Sequence, residues 1–367
     1  MIKKIFLVSF SLLVGVILVE ILYKNLDFDK ASDKYKDVLS IYSLWTDKNK
    51  SGGRANIKNK IWTYDKNNQF HHRVFIKTNK EWLEEFQYKF NSNNFGLNQE
   101  TDIILNKKSI AIFGASVPEG WGASPWLNDL QKEFTTDFQL VNGSLHGTGV
   151  YSWRVLHDHL KEQNIKIEKI LMFLHGDFWV NVSKTIPQNQ IDCLRDYKLC
   201  DNPSFLQYGF PNNADDEEII QFLINFEKIR NSTISNKAKY ITSLKEFLFY
   251  LREMMPATYQ LYRVSRIKYN QYLNQNEIKK FITEYKDNLI IFHIPQQNEY
   301  IQGKLTNDSI SLIKFVKSNG GIIFNSLERC EKSVADDFFY YEGHPNLKGY
   351  KKLKECTKKA LKELISK

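Results

Sequence analysis

From residue 108 onward the chain alternates short apolar runs with stretches whose apolar positions recur every three to four residues. The runs at 109–113, 138–142, 168–174, 288–294 and 321–325 read as strands, and the periodic stretches at 124–134, 150–163, 307–319 and 346–366 read as helices. Strands buried on both faces are continuously apolar, so the alternation predicts a parallel sheet covered by helices. In the last helix Leu347, Tyr350, Leu353, Leu361 and Leu364 form the apolar side, and the lysine-rich run 348–358 reads as its solvated face.

The third and fourth strands are about 110 residues apart, far more than a crossover helix needs. Residues 178–285 are therefore expected to be an insertion, with helical patterns near 217–230, 240–253 and 266–285. An insertion at the carboxyl end of a strand commonly builds the wall or lid of a site. Upstream, Ile61-Trp62-Thr63-Tyr64 and His72-Arg73-Val74-Phe75-Ile76 suggest a small β meander in an extension over 61–107. The stretch 24–60, rich in Lys, Asp, Ser and Asn, reads as a stalk.

Residues 5–23, IFLVSFSLLVGVILVEILY, are 19 residues with one charge, Glu20, and follow Lys3 and Lys4. That length can span a bilayer, and no small-residue cleavage site follows it, so an uncleaved transmembrane anchor is expected over a cleaved signal peptide. The two lysines would hold the short end in the cytoplasm and send the rest of the chain outside it. Glu20 would then lie near the outer interface, where a carboxylate costs less than at the midplane.

The formal net charge is +9, but the lysines are scattered, with no basic stripe interleaved with aromatics, so nucleic-acid binding is not expected. Attraction to anionic lipid or an acidic envelope polymer stays open. Four cysteines in a compartment that permits disulfides suggest pairing of Cys193 with Cys200 and of Cys330 with Cys356, the alternative for the second pair being buried thiols. No Cys/His spacing resembles a zinc site, and His71-His72 and His175-x-Asp177 read as surface or core residues.

Three strand ends carry small or glycine-containing polar loops: Gly114-Ala115-Ser116, Asn142 through Gly149, and His175-Gly176-Asp177. In an open α/β sheet these share the rim where ligands bind. A fourth segment, Glu342-Gly343-His344-Pro345-Asn346, opens the last helix. A serine hydroxyl is a poor nucleophile at neutral pH; it needs an imidazole to take its proton and a carboxylate to orient that imidazole. Ser116, His344 and Glu342 supply the three types, and each read alone is a turn serine, a helix-start histidine or a surface acid.

With these blocks in view the sequence resembles the SGNH/GDSL hydrolase family, in particular its membrane-anchored bacterial members, over about 90–180 and 286–366. The approach to the first strand, Asn91-Ser92-Asn93-Asn94-Phe95-Gly96-Leu97, is similar to one that such members carry. The Gly-Asp-Ser block falls on Gly114, Ala115 and Ser116, the Asn-x-x-x-x-Gly block on Asn142 to Gly147, and the final His block on His344 to Gly349. The resemblance implies a three-layer, flavodoxin-like α/β fold with a five-stranded parallel sheet, and no metal or organic cofactor. It makes Ser116 the nucleophile and His344 the base, with the N–H groups of Ser116 and Gly147 in the oxyanion hole.

Three departures bear on the mechanism. Ala115 stands where the family has Asp before the nucleophile. Asp177 stands where it has an Asn donor to the oxyanion hole, so that Asp177 is protonated, turned away, or dispensable beside two backbone donors. Tyr341 stands where the orienting Asp is common, and Glu342, two residues before the histidine, takes that role, with Asp337 as fallback. The implied activity is an outward-facing serine esterase acting on an acyl ester, acetyl among the candidates, of an envelope carbohydrate or lipid. The alternatives are an O-acyltransferase with the same residues and an inactive domain that binds glycans.

Overall fold

The computed structural model describes residues 15–16, 19–20, 38–47, 64, 66–122, 126–133, 137–176, 192, 215–237, 255–340 and 343–367. The chain divides into two compact units, residues 1–37 with 215–269, and residues 38–214 with 270–367.

In the second unit an antiparallel sheet of β1 (Val38–Asp47), β2 (Gln69–Thr78) and β3 (Trp82–Asn91) precedes a parallel one. The parallel sheet contains β4 (Lys108–Phe113), β5 (Gln139–Asn142), β6 (Lys166–Leu174), β7 (Leu289–His293) and β8 (Ile322–Asn325), in the order β5-β4-β6-β7-β8. Counted within that sheet the order is 2-1-3-4-5, the flavodoxin-like doubly wound arrangement. The register pairs Ala111 with Val141 and Ile170, and Ile291 with Met172 and Ile323.

Because side chains alternate along a strand, each strand feeds two layers of core. Ile110, Ile112, Leu171, Phe173, Ile290 and Phe292 meet Trp126, Leu127 and Leu130 of α2 (Trp126–Glu133) and Tyr350, Leu353, Leu361 and Leu364 of the last helix. On the other side Phe113 meets Phe281 and His157, which lie on α5 (Pro256–Tyr285) and α3 (Val150–Glu162). Truncating one of these buried aromatics, such as Phe173, is expected to destabilise the unit by about 3–5 kcal/mol. The remaining helices are α1 (Ser116–Glu119), α4 (Asp216–Lys237), α6 (Gln297–Gln302), α7 (Asn307–Ser318), α8 (Ser326–Arg329) and α9 (Leu347–Ile365). A disulfide joins Cys330, just past α8, to Cys356 in α9.

The antiparallel sheet has its own core, in which Phe70, Val74, Phe86, Tyr88 and Phe90 pack with Tyr64, Trp121 and Leu145. Trp121 and Leu145 lie in the loops that follow β4 and β5, so this sheet rests against the rim of the parallel one. In the first unit Ile219 and Leu223 of α4 are buried, and Glu20 bonds to the start of α5.

The five strands lie within two residues of those expected, and the helices 126–133, 150–162, 307–318 and 347–365 match theirs as closely. Two readings change. Val38–Asp47 falls in the stretch read as stalk yet pairs with β2 along its length; its mixed order of apolar and polar residues gave no period-two signal, and partner strand rather than local pattern defines it. Leu347, assigned to the apolar side of the last helix, is 70% exposed because it is the first helical residue and precedes the turn that meets the sheet. Apart from Gly15, Val16, Val19 and Glu20, which are helical, the expected anchor 5–23 lies outside the described residues, as do Cys193 and Cys200. Among the described residues no helix is long and apolar enough to cross a membrane.

Candidate active site

Strand β4 delivers its residues to the rim through a turn that only small residues allow. A Cβ on Gly114 would collide with Pro118, and Ser116 immediately starts α1. That helix lasts one turn because Gly120, in the left-handed region at φ 97°, closes it by donating to the carbonyls of Ser116 and Val117. Ser116 is left half-buried at the sheet edge.

The loop after β5 is tied to this turn. Leu145 N–H donates to the Gly114 carbonyl at 3.2 Å, and Gly143 N–H to that of Ile112 at 2.8 Å. Asn142, the first residue of the second motif block, is buried; its amide N–H group donates to Asn98 O at 2.9 Å and its amide oxygen accepts from Ser144 N–H at 3.1 Å. Gly147 is exposed with φ 68°, and a Cβ there would meet open space; the positive φ favours glycine.

The final loop folds back as a tight hairpin. Phe339 N–H donates to His344 O at 2.9 Å, Gly343 N–H to Phe339 O at 3.2 Å, and Gly343 holds φ 82°. Asn346 then caps α9, its side-chain oxygen accepting from Lys348 and Gly349 N–H, while its own N–H donates to Asp337 O. This geometry brings His344 Nε2 to 2.6 Å from Ser116 Oγ, across 228 positions of sequence. An imidazole at that distance can take the hydroxyl proton as the oxygen attacks and return it to a leaving group.

Around this pair stand residues that the motif reading missed. Glu119 is fully buried, three residues after Ser116, and its carboxylate accepts the His146 N–H at 2.6 Å and the Tyr64 hydroxyl. It thereby fixes the peptide next to Gly147. Burial, with the Glu119 carboxylate close by, holds the Tyr64 phenol well above its ordinary value, so that it serves as a donor. The Trp121 ring lies 5.9 Å from His344, 4.6 Å from His146 and 4.4 Å from His72 between centroids, and its carbonyl accepts the Tyr350 hydroxyl at 2.7 Å. Burial pushes the His72 imidazole well below its usual pKa, helped by the neighbouring His146, His71 and His344, and so keeps positive charge away from the site. The only local hint of this shell was the polar Glu119 inside an otherwise apolar turn.

Of the other predicted residues, Glu342 and Asp177 lie outside the described residues. Asp337 is buried and its carboxylate is engaged by Val334 N–H at 2.8 Å and Lys352 Nζ at 2.9 Å, which ties it to the base of the hairpin. His175 Nδ1 donates to the Ile294 carbonyl at 2.9 Å, so this nitrogen carries the proton. Gly176 packs so closely on Ser309 that a Cβ would collide with its backbone nitrogen and hydroxyl.

No family model matches the chain, and no curated protein matches it. Among solved structures it is similar to a lipase/acylhydrolase from Enterococcus faecalis, at 9% identity over 70% of this chain and 95% of that one, with a TM-score of 0.36. It is also similar to the psychrotrophic esterase EstA from Pseudoalteromonas sp., at 14% identity over 71% of this chain and 99% of that one, with a TM-score of 0.36. Scores this low add no weight; fold and chemistry rest on the strand order and the Ser116–His344 geometry.

Proposed function

We propose that this chain is a serine esterase of the SGNH/GDSL type, held by residues 5–23 in a bacterial inner membrane with its catalytic unit outside the cytoplasm. Its substrate is an acyl ester of an envelope carbohydrate or lipid. Ser116 Oγ attacks the ester carbonyl while His344 Nε2 takes its proton; the imidazolium then protonates the leaving alcohol, and water repeats the sequence to free the acid. Glu342 orients the imidazole, with Asp337, whose Oδ2 accepts from Val334 N–H and Lys352 Nζ, as the fallback. The N–H groups of Ser116 and Gly147 receive the oxyanion, and Asp177, standing where an Asn donor is common, is protonated, turned away or dispensable beside them.

The observation that carries this reading is the 2.6 Å separation of Ser116 Oγ and His344 Nε2 at the carboxyl rim of a parallel sheet. A fluorophosphonate probe reacts with activated serines, so the wild-type protein should label and the Ser116→Ala variant should not. Absence of labelling on wild-type protein, beside an esterase that labels under the same conditions, would remove the enzyme reading.

A further inference from the structure

The first unit carries a feature that esterase chemistry does not use. Leu261, Tyr262, Val264 and Tyr269, in the first four turns of α5, are exposed, Leu261 to 72% and Tyr269 to 58%. Leu261 and Val264 are three residues apart and Tyr262 and Tyr269 seven apart, so the four form adjoining strips along one side of the helix. Lys268 lies within this side and Arg266 at its edge; residues 256–269 hold three cationic side chains, with Arg263, and no acidic one. Apolar residues, tyrosines and long cations without acids are the composition of a helix lying in a membrane interface.

A second observation says what covers this face. Glu20, 7% exposed, receives the N–H groups of Ala257 and Thr258 at 2.8 Å each and the Thr258 hydroxyl at 2.6 Å, capping α5. Glu20 belongs to the apolar segment 5–23; in the anchor reading it lies 15 residues past Ile5, about 22 Å along a helix, in the outer part of a ~30 Å hydrocarbon core. The residue that docks α5 is therefore the one that the anchor brings to the outer interface. Leu261 is about 6 Å further along the α5 axis. Val16, one turn before Glu20, and Val19, next to it, are themselves exposed.

We propose that this side of α5 lies on the outer surface of the bilayer, with Leu261, Val264, Tyr262 and Tyr269 at the level of the headgroups and upper acyl chains and Arg266 and Lys268 on lipid phosphates. The inference rests on the anchor reading of residues 5–23 and is independent of Ser116 chemistry.

Full-length Leu261→Cys and Tyr269→Cys variants, labelled with an environment-sensitive fluorophore without reductant, are inserted into anionic nanodiscs with and without lipid carrying a nitroxide near the top of its acyl chain. The unsubstituted chain is the blank. Both labels should emit to the blue and lose more than about half of their emission to the nitroxide lipid, as expected for side chains at the headgroup boundary. Doubling the Arg266→Gln and Lys268→Gln changes should reduce that quenching. If the chain inserts and the labels emit equally in both discs, the proposal is overturned and the anchor stands. A blue-shifted label insensitive to the nitroxide means that protein covers the face, which also overturns it. Failure to enter the disc removes the anchor reading and the proposal together.

Discussion

Among the described residues of the larger unit, Ser116 meets His344 at 2.6 Å and Ser309 meets His293 at 2.9 Å. The second even has a carboxylate nearby, Glu299 at 4.0 Å from His293 Nε2. What separates the pairs is access. Ser309, His293 and Glu299 are all at most 1% exposed, beneath the rim, and Glu299 spends its oxygens on Thr306 and Gln296 N–H and on the Thr306 hydroxyl. Burial pushes the His293 imidazole down to about 4, so it stays neutral and acts as a fixed hydrogen-bond partner. Ser116 and His344 instead sit half-buried on loops that glycines bend toward solvent. Hydrogen-bond geometry alone thus does not distinguish the two pairs; access at the rim does.

Deleting each hydroxyl in turn separates the two pairs. Ser116→Ala should lower hydrolysis of a simple aryl ester on the order of 10⁴-fold or more while leaving thermal unfolding nearly unchanged. Ser309→Ala should do the reverse: it orphans the buried His293 nitrogen and costs about 1–3 kcal/mol of stability, with turnover at permissive temperature largely kept. Equal losses of activity from the two would erase the distinction.

Reduction of the Cys330–Cys356 disulfide, which closes a loop of 26 residues around the His344 hairpin, should cost about 3 kcal/mol in denaturant titrations. Activity should fall before the His293 network loosens, as read by hydrogen exchange. Glu119→Gln weakens the charge-assisted bond to His146 N–H and should cost about 1–3 kcal/mol and lower kcat more than it raises KM. An unchanged kcat would remove Glu119 from the support of the Gly147 loop.

Burial of the His293 and His72 imidazoles also sets a pH dependence of stability. His293 is depressed from an ordinary value near 6.5 to about 4 by burial, so the unfolded chain binds a proton that the folded one refuses between those values. Stability present above about pH 6.5 should be lost as pH falls toward 4. His72, depressed for the same reason, adds a slope of the same sign. His293→Asn should flatten the dependence without abolishing it, as measured by urea midpoints between pH 7 and 4.

The parallel sheet was legible because buried strands are continuously apolar and covering helices strictly periodic, signals that need no partner to be seen. Ser116 was legible from the small-residue turn at the end of a strand, and His344 from the Glu-Gly-His-Pro-Asn segment that opens the last helix. The shell around them was not. Tyr64 and His72 lie in stretches recognised as strand-like, but nothing local tells that they meet Glu119 and Trp121 from 55 and 49 positions away. Buried polar residues that satisfy one another over such separations leave no periodic trace, and neither did β1, whose partner defines it.

If access decides reactivity, the exposed pair reacts and the buried pair does not. Wild-type protein treated with a fluorophosphonate and digested for tandem mass spectrometry should carry the adduct on the peptide containing Ser116, at Ser116 itself. An adduct on Ser309, or none on either serine under conditions that modify a known esterase, would contradict it.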